Sequence, residues 1–184
     1  RLRGRSPDRF GPRPRKPSLT TLLFYKNPIP LNAALHRDAR LRVQPNDFRF
    51  AACTNAVPLA AVEFFDAARE YPVVFAGQEN GAVFPVAMVG ARNDENLFVG
   101  ADGRWDARYV PAFARRYPFV LAETRGDDSL KVYIDQAYEG FGVAEGERLF
   151  SPQGEPTPIL DYALSFLRTY QGEIRRTREF VDRL

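Results

Sequence analysis

The chain has 184 residues, 45% of them hydrophobic, with 26 Lys and Arg against 23 Asp and Glu, one Cys and one His. That length suits one domain able to bury about 70% of its unfolded surface, so neither disulfides nor a metal is needed to hold a core. Cys53 has no intramolecular disulfide partner, and Cys53 with His36 cannot make a four-ligand zinc site without carboxylates, so zinc-finger and disulfide-scaffold classes are excluded.

The basic balance is unevenly placed. Residues 1–17 carry six Arg and Lys16 against Asp8, which leaves the rest of the chain at net −3. Residues 1–19 are rich in Pro and Arg and poor in apolar side chains, so they are expected to form a basic disordered tail, with residues 20–184 as one domain. The tail has no apolar run of the kind a secretory signal needs, which predicts a cytoplasmic location. The apolar runs elsewhere fall far short of the ~20 residues of a bilayer span, so no membrane-spanning helix is expected.

Along the domain, TTLLFY at 20–25 is β-branched and apolar and predicts a first strand, stopped by a turn at Asn27-Pro28-Ile29-Pro30. Residues 40–43 fit a short strand, and 47–51 alternates weakly. Pro58 suits the first turn of a helix running to about residue 70 and ending before Pro72, with Ala61, Phe65 and Ala68 sharing a face. VVFA and VFPVAMV then predict an antiparallel hairpin about Gly77 to Gly81, with Pro85 confining the second strand to an edge or bulge. NLFVG predicts another strand, and Ala101-Asp102-Gly103-Arg104 a turn. Residues 111–117 predict a two-turn helix with Phe113 and Tyr117 on one face and Arg115 and Arg116 away from it. Strands are expected over 119–123 and 130–134.

The last element is the clearest. Thr157 as N-cap and Pro158 at the first helical position open a run in which Ala163, Leu167, Tyr170, Ile174, Thr177, Val181 and Leu184 recur at steps of four and three. That apolar stripe reaches the last residue with no Gly or Pro stop, so the natural chain is expected to continue. The stripe also predicts self-association through this helix. Together these elements predict an α+β fold, a mostly antiparallel sheet covered by helices near 58–70, 111–117 and 158–184.

No established catalytic or cofactor pattern is present: there is no GxGxxG, P-loop or CxxC, and the surroundings of His36 contain no nucleophile elbow. Asp94, Glu95, Asp102 and Asp106 cluster in sequence and could serve a cation or an uncharacterised enzyme, but their spacing is not that of a calcium loop and turns recruit Asp for backbone reasons. The expectation is therefore no catalytic residue, no cofactor and no metal. Residues 96–123 instead concentrate large rings and guanidinium groups, the side chains enriched at interface hot spots. Arg104, Trp105, Arg108, Arg115 and Arg116 are the candidate partner-binding residues, with Trp105 as an exposed anchor. Most of the other rings are expected in the core, with arginine stems covering them.

Several long motifs in this order carry a family resemblance. YKNPIPLN, DFRFAACTNAVPLAAVEFFDAAREYPVVFA, NLFVGADGRWDARYVPAFARRYPFVLAE, EGERLFSPQGEPTP and the ending RTREFVDRL make the chain, from about residue 22 to 184, similar to the bacterial SapC-like family, whose name derives from surface-layer protein. Family members look longer at the C-terminus, in line with the open helix. The resemblance implies a surface-layer-associated structural role, a cell-surface location, and another protein or peptide as partner, and supplies no catalytic residue. It also implies an alternative, an accessory or peptide-recognition role beside halogenase-like and oxygenase proteins. Nucleic acid is the disfavoured partner.

Overall fold

A computed structural model describes residues 22–77, 81–124 and 127–184, and the predicted basic tail lies outside the described residues. The fold is α+β, and every strand pairing among the described residues is antiparallel. The strands do not join one sheet. β1 (Pro28–Pro30), β7 (Asp127–Asp135) and β6 (Phe119–Thr124) form one in that order. β8 (Phe141–Gly142), β2 (Arg40–Leu41) and β9 (Glu147–Arg148) form a second, and β3 (Ala56–Pro58), β5 (Val83–Met88) and β4 (Val73–Gly77) a third. Helices α1 (Phe64–Ala67) and α2 (Ala112–Arg115) are single turns, and α3 (Pro158–Val181) is long.

The start of the domain differs from expectation. Residues 22–25 form a turn closed by the Tyr25 amide on the Leu22 carbonyl at 3.0 Å, and Phe24 goes into the core. The Pro28–Pro30 segment, expected as a turn, is the edge strand β1, where two prolines are tolerated because only one side of an edge strand must donate. Residues 49–51 turn as a 3-10 helix.

Pro58 ends β3 and does not open a helix. The helical stretch after it is a 3-10 turn at Ala61–Glu63 followed by α1, and the predicted face is the wrong one. Phe65 is 73% exposed, whereas Leu59, Glu63, Ala67 and Tyr71, spaced by four, are buried. The hairpin β4–β5 forms in register Phe75 to Pro85, but β5 is the central strand and Pro85 is fully buried. Its carbonyl accepts the Leu59 amide at 3.0 Å just where β3 ends, so the N–H it lacks is not demanded. NLFVG is not a strand, since only Val99 bridges, to Trp105. The helix expected over 111–117 is one turn followed by a bend into β6.

Helix α3 begins at Thr157 and Pro158 as expected, but the Thr157 hydroxyl donates outward, to the Arg148 carbonyl at 2.5 Å and the Leu149 carbonyl at 3.2 Å. Leu160 and Leu167 enter a cluster with Leu41, Phe119, Ile134, Leu149 and Phe150. Tyr170 enters another, with Val57, Leu59, Tyr71, Val89, Trp105 and Phe113. One helix thus ties the two cores together, and burying each such side chain is worth roughly 1.5–3 kcal/mol. Thr177, on the same stripe, is buried for a polar reason: its hydroxyl accepts the Ala61 amide at 2.8 Å and donates to the Glu173 carbonyl at 2.7 Å. Leu184 is 80% exposed. Among the described residues no helix is long and apolar enough to cross a membrane.

Candidate functional site

The segment 96–118 is built upward from a tight turn. Gly103 sits at φ +85° and a Cβ there would lie 2.8 Å from Asp47 Oδ1 and Arg49 Cγ, so only glycine fits. The turn closes by Gly103 and Gly100 amides on the Gly100 and Arg104 carbonyls, both at 2.9 Å, and the Asp102 carboxylate accepts the Arg104 amide at 3.0 Å. The Phe48 amide donates to the Gly103 carbonyl at 2.8 Å and locks the turn onto the preceding layer.

Trp105 is next, and it faces inward. It is 8% exposed, its indole N–H donates to the Tyr71 hydroxyl at 2.8 Å, and its ring meets Phe48 edge-on at 5.6 Å. The Tyr71 hydroxyl in turn donates to the Tyr109 carbonyl. Trp105 is therefore a core residue, and the exposed-anchor expectation is corrected. A large ring with one polar atom is stable inside once that atom has a partner, and Tyr71 supplies it.

The Tyr109 hydroxyl continues the chain by donating to Glu63 Oε1 at 2.7 Å. Glu63 is 4% exposed and also accepts the Ala112 amide at 2.8 Å and, through Oε2, the Ala60 amide at 2.7 Å. One buried carboxylate thereby joins the turn before α1 to the start of α2. Asp135 does the same work at the other side: fully buried, it accepts the Lys26, Asn27 and Ala137 amides at 3.0, 2.9 and 3.1 Å and the Tyr117 hydroxyl at 3.1 Å. Neither anion was singled out from the sequence. For Glu63 the missed signal was the step-of-four row from Leu59 to Tyr71, in which it is the polar member.

Arg116 is also inside, only 7% exposed, contrary to the expectation that it points away. Its guanidinium lies 3.9 Å over the Phe113 ring, with Tyr170 at 5.4 Å and Tyr25 at 5.8 Å. A weakly hydrated, planar cation is the one that such a ring cage accommodates. Burial raises the pKa of Tyr25, Tyr109, Tyr117 and Tyr170 and pushes Tyr71 up to about 12, the Trp105 hydrogen bond opposing that last shift. The hydroxyls of Tyr25, Tyr71, Tyr109 and Tyr117 act as donors at neutral pH.

Arg104, Arg108 and Arg115 are exposed on the same segment. Arg115 donates to the Val110 carbonyl at 2.9 Å and lies 5.4 Å over Phe166 of α3, while Arg104 and Arg108 make no ion pair among the described residues. The structure thus divides the five candidates, with Trp105 and Arg116 below the surface and three arginines on it.

Of the carboxylates considered for metal or catalysis, Asp94 and Asp102 sit in separate turns. Asp94 takes φ +57° in one, where Glu95 accepts the Ala91 and Arg92 amides, both at 3.1 Å, and Asp102 caps the next. Among the described residues no group of three His, Cys, Asp or Glu side chains is arranged to hold a metal. His36 pairs with the backbone of Asn32 at 3.0 Å, and Cys53 is exposed and free.

Neither the curated proteins nor the solved structures include a match to this chain. The family model for SapC matches residues 31–184, most of the sequence, and the chain belongs to the SapC family.

Proposed function

We propose that this chain is a non-enzymatic SapC-family module that binds another protein through the surface bearing Arg104, Arg108 and Arg115. The observation that carries the reading is the contrast within one segment: the rings and Arg116 beneath are bonded and packed, while Arg104 and Arg108 above them have no ion-pair partner among the described residues. A loop held rigid from below loses little conformational entropy on binding, and exposed guanidinium groups offer directed, bidentate hydrogen bonds to carboxylates. An enzymatic reading needs converging acid and base groups, and of these carboxylates Asp102 is engaged in capping its own turn. The family resemblance supports a surface-layer-associated structural role for the binding. Capture from a cell-envelope extract tests this, using the chain and an Arg104→Ala/Arg108→Ala/Arg115→Ala variant of unchanged melting temperature. A discrete envelope protein retained by the first and lost by the second is the expected result. The same proteins retained by both would defeat the assignment.

A further inference from the structure

A second surface lies between α3 and the β6–β7 hairpin. A groove of about 520 Å³ opens there, lined by the half-buried Leu121 and Ile174 and by Leu130, which is 45% exposed. Arg168, Arg175 and Arg178 line it from α3. At 1.5 Å per residue these three span about 15 Å, and their spacing of seven and three puts them along one side of the helix. All three are exposed and none has an ion-pair partner among the described residues, whereas Arg176 beside them is paired with Glu173 at 2.5 Å.

Between Arg168 and Arg175 sits Gly172, in the interior of a 24-residue helix. Glycine is the weakest helix former after proline, so its place there calls for a reason. Packing among the described residues provides none, because a Cβ at Gly172 would meet nothing within 4 Å. A gap in the wall of a cationic groove, kept at a cost to the helix, fits the close approach of something from outside.

We propose that this groove binds an acidic peptide segment of a partner protein, with apolar side chains against Leu121 and Ile174, carboxylates on the three arginines and backbone passing over Gly172. A free phosphate would leave the apolar lining unused. Nucleic acid would likewise bring no aliphatic side chain to Leu121, Leu130 and Ile174. The inference goes beyond the surface of Arg104, Arg108 and Arg115, and different variants test the two.

The probe is a fluorescein-labelled peptide of alternating Glu and Leu, followed by anisotropy at low and physiological salt. A Gln-for-Glu peptide and a single-stranded oligonucleotide of equal charge serve as comparisons. The expected result is binding that weakens with salt, at least tenfold loss with the Gln peptide, and at least tenfold loss in Arg168→Ala/Arg175→Ala/Arg178→Ala. Gly172→Leu should raise the melting temperature and still weaken the peptide tenfold, a pairing that loss of fold cannot produce. The proposal is overturned by absence of binding at millimolar peptide, by equal affinity of Gly172→Leu and the unaltered chain, or by an oligonucleotide that binds as tightly as the peptide.

Discussion

Replacing Glu63 with Ala removes the acceptor for three donors at once. The Ala60 and Ala112 amides lie at 2.7 and 2.8 Å, and the Tyr109 hydroxyl at 2.7 Å. Ala60 is 1% exposed and Ala112 8%, so neither amide can turn to water, while the half-buried Tyr109 hydroxyl can. A buried donor left unsatisfied costs about 1–3 kcal/mol, so the two amides together predict a loss of about 4 kcal/mol before any cavity is counted. That is a large part of the roughly 5–15 kcal/mol by which such a domain is stable. Glu63→Gln keeps the shape and one acceptor oxygen but turns an NH₂ toward a donor, which predicts about 1–3 kcal/mol. Tyr109→Phe removes one partly wet hydrogen bond and predicts about 1 kcal/mol. Urea unfolding followed by circular dichroism measures all three. A Glu63→Ala variant within about 1 kcal/mol of the unaltered chain at unchanged m-value would refute the claim that this carboxylate holds α2 to the turn before α1.

Two further outcomes follow from the same interior. Trp105→Ala empties a packed site and orphans the Tyr71 contact, so it should cost about 3–5 kcal/mol and lower the midpoint of denaturation; a fully stable variant would return Trp105 to the surface. In alkali, Tyr71 in the unfolded chain loses its proton near pH 10, whereas the folded state holds it to about 12. Between those values the unfolded chain binds fewer protons, so stability is intact below pH 10 and falls as pH rises through the window. Tyrosinate absorbance near 295 nm should therefore rise in part with the loss of the far-ultraviolet signal; complete titration of every tyrosine in a still-folded chain would contradict the burial described.

How much of this was legible without coordinates depends on how local each cause is. Thr157, Pro158 and the recurrence from Ala163 to Val181 describe one face of one helix, and α3 forms over Pro158–Val181 as those residues predict. The Asp102-Gly103 turn and the β4–β5 hairpin were likewise visible, because positive φ at glycine and period-two alternation are properties of a few adjacent residues. The stretch 58–70 has a periodicity that fits two rows four apart, and the row that is buried contains the charged Glu63. Two of the three donors that make burial of that carboxylate favourable, the Tyr109 hydroxyl and the Ala112 amide, lie 46 and 49 residues away.

By itself the sequence determined the fold class, the long C-terminal helix, the clustering of rings and guanidinium groups in residues 96–123, and membership of the SapC family. The tertiary structure alone decided which of those groups are inside. Arg116 is buried because Tyr25, Phe113 and Tyr170, drawn from three separated parts of the chain, converge on it, and Trp105 because Tyr71 and Phe48 stand ready to receive it. It also divided the described strands among three small sheets and left Arg168, Arg175 and Arg178 lining a groove with no ion-pair partner among the described residues. Residue type sets what a side chain can bond to, but the free energy of burying a charge or a ring is set by the partners that long-range packing brings within reach.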